Sequence, residues 1–448
     1  MAETSEEKFR RMTEAPVGGL IAKLAVPCIV SMLVTSFYNM ADTFFVGQLK
    51  SNSATGAVGI VFSMMAIIQA VGFFFGHGSG NFISRELGKK NYHEAEKMAA
   101  TGFFSAFAAG ILIMIAGEVF IEELAYLLGS TETILPYTKD YLGAILLGAP
   151  WITSSFVLNN QLRFQGNATY AMFGITFGAV LNIVLDPVLI FGFDMGISGA
   201  GYATVISQFV SFCVLLYGMQ KHGNIKIKLS NIQFKFYYYK NIFGGGFPSL
   251  ARQGLASIAT ISLNHAAGPF GDEVIAAMGV VQRIVMFGAS SMIGFGQGFQ
   301  PFCGFNFGAG LYKRVKEGFY FCVKTSAVFL LGIAALGFVF APQLISLFRD
   351  DPKVIEIGAF ALRLQCVTFV THSWIVLSNM MTQVIGRTVP ATFLATARQG
   401  LFFIPAVLIL SSAIGVTGIQ LAQPIADIGT LLCAIPIQLK ILKEFDNK

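Results

Sequence analysis

Long apolar runs, separated by short breaks that carry the charge, recur along the chain from Val17 to its C-terminal end. Each run has about 20 residues or more, enough for a helix to cross a hydrocarbon layer of roughly 30 Å. The pattern predicts twelve such helices, over residues 17–48, 53–84, 94–120, 134–166, 169–192, 196–221, 238–268, 273–304, 314–341, 354–385, 388–412 and 416–440. Several exceed the minimum length, so tilt or polar extensions are expected. Lipid leaves an open backbone without a partner, and the chain lacks the ten-residue alternation of barrel strands. The predicted class is therefore all-α and polytopic.

The breaks between runs set the orientation. Assigning alternate breaks to one side collects Lys8, Arg10 and Arg11, then Arg85, Lys89, Lys90 and Lys97, then Lys221, Lys226, Lys228, Lys235 and Lys240. Lys313, Arg314, Lys316, Lys440, Lys443 and Lys448 join them, while the other side keeps Lys50, Lys139, Arg349 and Lys353 among acids. The bias of lysine and arginine toward cytoplasmic loops then places both termini in the cytoplasm. Residues 1–16 are polar and mixed in sign, and the run that follows is of span length, so the first span is expected to be retained rather than cleaved as a signal.

The chain also repeats itself. Gly59, Gly76, Gly78, Phe82, Gly88 and Tyr92 recur as Gly279, Gly296, Gly298, Phe302, Gly308 and Tyr312, each 220 residues on (279 − 59 = 220). Pro27 and Pro187 have counterparts in Pro248 and Pro405 at a similar distance. This predicts a cytoplasmic segment 1–16, a six-helix lobe 17–221, a basic linker 222–240 and a second six-helix lobe 241–448. With an even number of spans per copy, the lobes are expected to be related by a pseudo-two-fold axis along the membrane normal, with a cleft between them and alternating access.

Composition agrees: 54% of residues are hydrophobic, 12% charged, and the mean hydropathy is +0.67. The net charge of +6 needs no nucleic-acid partner, because the basic residues form a collar suited to anionic lipid. Cys28, Cys213, Cys303, Cys322, Cys366 and Cys433 fall in or beside the spans without metal-ligand spacing and read as small core residues. Gly76 and Gly80 read as a close-packing pair. Gly88 reads as the cap that ends the second span. His77 is either a proton relay or a packed histidine. Met40, Met172 and many other methionines and phenylalanines suit a ligand surface that repacks, although most of them must simply face lipid or core.

Against this background the stretch "LNIVLDPVLIFG" (Leu181–Gly192) stands out, since an ionised aspartate facing lipid costs roughly 2.5–3.5 kcal/mol or more. Asn182 and Asp186 are four residues apart and share one helix face, and Pro187 frees the carbonyl of Ile183 near it. Only one other acid of the first half, Asp42, lies well inside a span, and Thr204 can add a hydroxyl. Asp42, Asn182, Asp186 and Thr204 together form an oxygen-rich set able to hold Na⁺ or take up a proton. The plainer alternative is that each acid is satisfied locally. In the second half Asp427 is the one acid deep in a span, set against Arg283, Lys324, Arg363 and Arg398.

"NMADTFFVGQL", "ISRELGKKNYHEAEK" and "LNIVLDPVLIFGFDMGISGAGYATVIS", with the twelve-span plan, resemble the multidrug and toxic compound extrusion (MATE) family, in the branch of DinF-like and MepA-like exporters. The resemblance covers essentially the whole chain. It implies a monomeric, multi-pass antiporter of a bacterial or archaeal cytoplasmic membrane. Such a protein needs no cofactor besides Na⁺ or H⁺ as coupling ion, and its partners are amphipathic drugs and the bilayer. It implies a cation site at Asp42, Asn182, Asp186 and Thr204, with Tyr141 and Asn159 as further lining residues; Met172, Arg283 and Asp427 are additional cleft candidates. The seventh span departs from another branch of the family: it carries Arg252 and no carboxylate, which argues for coupling through the first half. The alternative is a flippase or exporter of lipid-linked or anionic amphiphiles. An intramembrane enzyme is the weakest reading, because no H-E-x-x-H or G-x-S-x-G motif occurs.

Overall fold

A computed structural model of the chain describes residues 3–49 and 51–447, apart from the side chains of Asn39, Met40, Thr43, Asn52 and Thr55. Lys50, Lys448 and the Met40 side chain therefore lie outside the described residues, which contain helices and turns but no strand. In the first half, α1 (Ser5–Glu14), α2 (Val17–Gly47), α3 (Asn52–Gly88) and α4 (Tyr92–Val119) precede the short α5 (Ile121–Leu127). Then come α6 (Leu135–Phe164), α7 (Ala168–Pro187) and α8 (Gly196–His222). The second half has α9 (Phe236–Ala267), α10 (Asp272–Gly308), α11 (Tyr312–Val339), the short α12 (Ala341–Ser346), α13 (Pro352–Phe369) and α14 (His372–Val384). It ends with α15 (Thr388–Thr396), α16 (Ile404–Ile414) and α17 (Val416–Asp446). A π-helical turn at Val188–Gly192 extends α7, and another at Ala397–Phe403 joins α15 to α16.

Among the described residues ten helical segments are long and apolar enough to cross a membrane, and α13 with α14, bent by 56°, make an eleventh. The twelfth expected span is α9, whose 32 residues suffice in length but whose apolar character is diluted by three tyrosines, Lys240 and Arg252. The fold is the all-α, multi-pass membrane class that the hydrophobic pattern predicts. Its repeat extends from single residues to whole helices. The bounds of α3 and α10 differ by 220 at both ends (272 − 52, 308 − 88), as do those of α4 and α11 (312 − 92, 339 − 119).

Helix ends follow local chemistry. Ser51 and Asn91 accept the backbone N–H groups of Ala54 and Glu94 and cap α3 and α4. At the end of α3 the expected cap is two residues early. Asn91 N–H bonds the Glu86 carbonyl (2.8 Å) and Lys90 N–H that of Leu87 (3.0 Å), the Schellman pattern, which puts Lys90 in the left-handed position. Its φ is 58°, where the second repeat has Gly310 at 75°. Gly88 is simply the last helical residue. The cysteines are free, and Cys213 is exposed rather than a core residue, because it lies on an outward face of α8.

The chain divides into two compact units that are discontinuous in sequence. One contains the residues up to Glu14 and Val30–Leu250; the other contains Ala15–Ile29 and everything from Ala251 onward. The divisions fall inside α2 and α9, shortly after Pro27 and Pro248, where a missing N–H interrupts the helix ladder. In the second unit the first half of α2 lies against α10, and a Cβ added at Gly298 would come 2.4 Å from Ala25 Cα. In the first unit the start of α9 lies against α3, and a Cβ at Gly78 would come 2.3 Å from the Ile242 carbonyl oxygen. The repeated glycines at 78 and 298 thus each sit where a half-helix comes into backbone contact. Gly76 and Gly80 are close-packing sites as well, backed by Asn160 and Phe164 of α6.

The polar N-terminal segment folds as α1 and docks on the first unit. Its buried face is Lys8, Met12 and Thr13. Lys8 Nζ donates to Asn167 Oδ1 (2.8 Å) and to the His222 carbonyl (3.4 Å), while Glu6 pairs with Lys90 (2.9 Å). Burial pulls Lys8 down to about 8, an effect that Glu3 partly offsets and Arg11 reinforces.

Two predictions follow from these contacts. Gly298→Ala and Gly78→Ala each destabilise the protein by about 1–3 kcal/mol, read as a lower Tm in detergent, whereas Gly19→Ala, which meets nothing within 4 Å, does not. Undocked Lys8 holds its proton to about pH 10.4, and docked Lys8 releases it near 8. The undocked state therefore binds more protons between these values, and docking strengthens as pH rises. Proteolysis within α1, normalised to a free peptide of the same sequence, slows from about pH 7.5 to 9.5 in wild type and stays level in Lys8→Met.

Candidate functional site

α7 supplies the first group. Asn182 and Asp186 are 1% and 0% exposed, one turn apart on the same face, as their spacing predicts. With its amide oriented to satisfy both ends, Asn182 donates to Asp186 Oδ2 (3.2 Å) and accepts the Thr204 backbone N–H of α8 (3.2 Å). In the rotated orientation Asn182 Nδ2 lies 3.4 Å from Thr204 Oγ1. Either way the amide ties α7 to α8. The helix does not continue regularly past Pro187 but widens into the π-turn, where Phe193 N–H reaches the Val188 carbonyl (2.9 Å).

α2 and α6 complete the cluster. Asp42 is buried and accepts from Tyr141 Oη through its Oδ2 (3.4 Å), and its carboxyl lies within electrostatic reach of Asp186. Tyr38, one turn before Asp42, is buried with its hydroxyl against the side chains of Thr204 and Gln208. The four residues expected to share a site do come together, and Tyr141, expected only as a lining residue, joins them directly. Tyr38 and Gln208 were not anticipated, although the four-residue spacing of Tyr38 and Asp42, and of Thr204 and Gln208, was legible. Two oxygens, Asp42 Oδ1 and Asp186 Oδ1, are buried without a hydrogen-bond donor among the described residues. The donor set is otherwise amide, hydroxyl and carboxylate oxygen, hard ligands suited to a small cation or a proton.

The remaining candidates lie apart from this cluster. Asn159 gives its amide to the Ala171 carbonyl (3.0 Å) and fastens α6 to α7. Met172 is half-buried on α7, ten residues before Asn182. His77 is packed, stacked on Phe73 and near Arg163 Nη2 (3.3 Å). In the second unit Arg283 on α10 and Lys324 on α11 are exposed, and Arg363 donates to the Phe338 carbonyl (3.2 Å). Asp427, 2% exposed on α17, is the centre of its own cluster. Thr368 Oγ1 and His372 Nε2 approach its Oδ2 (both 3.2 Å), and Arg398 Nε (2.8 Å) and Gln423 Nε2 (2.9 Å) approach its Oδ1.

A model of the MatE family matches residues 27–188 and again 248–409. The chain belongs to the MatE family. The two matches are 221 residues apart (248 − 27), within one residue of the 220-residue repeat, and the first includes Asp42, Tyr141, Asn182 and Asp186. Among curated relatives, the multidrug export protein MepA of Staphylococcus saprophyticus is 28% identical over 416 residues, covering 93% of this MatE chain and 91% of its own. That of Staphylococcus aureus is 27% identical over 443 residues, covering 97% and 95%. A MATE crystal structure in complex with MaL6 superposes with a TM-score of 0.91 at 25% identity, over 98% of this chain and 99% of that one. An outward-facing multidrug resistance MATE transporter of the MOP superfamily gives 0.92 at 24%, over 98% of each, and shows the fold. The resemblance read from the motifs is thereby confirmed for the MatE chain and its MepA-like branch.

Within this MatE chain the ion cluster of the second unit is structural in its energetics. Asp427→Ala leaves Arg398 without its partner and costs about 3–5 kcal/mol, whereas Arg398→Met with Asp427→Leu recovers most of that loss, measured as Tm in detergent.

Proposed function

We propose that this chain is a secondary antiporter, a transporter rather than an enzyme, that lets Na⁺ or H⁺ run inward to expel amphipathic drugs by alternating access. The observation that carries this reading is the pair of buried carboxylates, Asp42 and Asp186, each with one oxygen that receives no donor among the described residues. Two like charges within electrostatic reach of each other in a low-dielectric interior are costly unless a positive charge accompanies them. A Na⁺ or a proton supplies that charge, and its arrival and departure change the energy of the surrounding packing. The export proteins named MepA, similar over more than nine-tenths of this chain, support drugs as the cargo. The basic side chains around α1, including Lys89, Lys90 and Arg11, support cytoplasmic termini.

In the cycle, the ion enters from outside and is held by Asp42 and Asp186 with Asn182 and Thr204, while the Tyr141 hydroxyl fixes the Asp42 carboxylate. The neutralised site favours one arrangement of α2, α7 and α8, and the empty site another. Ion and drug must then disfavour each other's binding by the same factor. The bilayer is the remaining partner, and the chain acts as a monomer.

The test is efflux of a lipophilic fluorescent dye from proteoliposomes under separately imposed Na⁺ and pH gradients. Asp42→Asn and Asp186→Asn, correctly inserted, lower gradient-driven efflux at least about tenfold, a barrier change of about 1.4 kcal/mol or more. Coupled efflux at the wild-type rate in either variant overturns the assignment of the site.

A further inference from the structure

The second half of the chain carries a different polar arrangement at its own broken helix. Asp427 lies in "PIADIG" of α17, buried among apolar neighbours, and four donors reach it, two to each oxygen. A carboxylate so saturated has little capacity left for a small cation, in contrast to Asp42 and Asp186. Its partners differ in exposure. The His372 side chain is 3% exposed and Thr368 is buried, but the Arg398 side chain retains 26% of its surface. Arg398 meets Asp427 through Nε alone, and its two terminal amines have no hydrogen-bond partner among the described residues.

A guanidinium held in this way has one edge fixed and the other free. Its Nη amines form a planar pair of donors matched to a carboxylate, sulfonate or phosphate. Arg398 is the second residue of the π-helical turn Ala397–Phe403, an irregularity of the kind that recurs at functional sites. A second guanidinium belongs to α9, the helix that packs on this turn. A Cβ added at Gly400 would come 3.0 Å from Leu255 Cδ1, and Arg252 is three residues before Leu255 on α9. Arg252 Nη1 donates to Asn379 Oδ1 (3.3 Å) and makes no ion pair with a carboxylate among the described residues.

We propose that Arg398 binds an anionic group of the exported molecule, so that the chain carries zwitterionic or anionic amphiphiles in addition to neutral or cationic ones. Asp427, with Thr368, His372 and Gln423, acts as a positioning cluster that fixes the guanidinium plane. This rests on the export reading and names the substrate class that reading leaves open. The coupling ion and the anionic group then use different halves of the chain: Asp42 and Asp186 take the cation, and Arg398 takes the anion.

The experiment uses one xanthene dye in two forms, the free carboxylate and its ethyl ester, which share chromophore and nearly all apolar surface. Binding to the purified full-length protein is read by fluorescence anisotropy, and efflux from proteoliposomes is read in parallel. Arg398→Met and Arg398→Lys are expected to raise Kd for the carboxylate form at least about tenfold and for the ester less than about twofold, because lysine keeps the charge but loses the fork. Gln423→Leu, which removes one donor to Asp427 without removing a charge, is expected to weaken only the carboxylate form, by a few-fold. Equal shifts for both forms, or none for either, overturn the anion site, and ester efflux coupled to the ion gradient then leaves the export reading standing. Arg398-dependent binding of the carboxylate form without efflux of either form supports the anion site and overturns the export reading instead.

Discussion

A charge inside a bilayer has no water to turn to, and the polar interior of this protein is arranged around that constraint. The buried aspartates of the spans are either compensated by the chain or left for something mobile to compensate. Asp427 belongs to the first kind, with four donors around one carboxylate. Asp42 and Asp186 belong to the second, since their amide and hydroxyl neighbours account for only one oxygen of each. The three acids therefore differ in saturation rather than in burial, which is nearly complete for all of them.

The same solvent governs packing. Lipid tails are as apolar as leucine, so helices gain little from hydrophobic contact alone and depend on close approach. Gly78 and Gly298 permit such approach at the positions where α9 and α2, interrupted near a proline, change from one compact unit to the other. Backbone groups freed at helix ends are taken up by side chains such as Ser51 and Asn91, and by Schellman turns repeated at Lys90 and Gly310. Duplication has preserved the bounds of α3 and α4 in α10 and α11 at both ends.

The polar chemistry has not been preserved with it. Adding 220 to Asp42, Asn182 and Asp186 gives Ser262, Phe402 and Ala406, and subtracting 220 from Arg398 and Asp427 gives Gly178 and Ser207. One scaffold thus carries two unlike polar clusters, an acid-rich one in the first repeat and a guanidinium-bearing one in the second, in line with the rule that function is grafted on a fold rather than dictated by it. Both sites lie on or beside helices interrupted by π-turns, where a locally widened helix frees backbone and side-chain positions that a regular one would use internally.

The sequence by itself determined the class, the spans and the repeat, because hydrophobic length and spacing are local properties and a bilayer reads them directly. It also placed Asn182 with Asp186, since four residues in a helix is one turn. It did not determine that Lys90, rather than Gly88, takes the left-handed turn, nor that α1 would bury a lysine against Asn167 and His222. It could not show that Tyr141 reaches Asp42, 99 residues away in sequence, or that His372, Arg398 and Thr368 converge on Asp427. Those pairings join groups on different helices, whose distances depend on how the helices are rotated and packed, and only the tertiary structure fixes that.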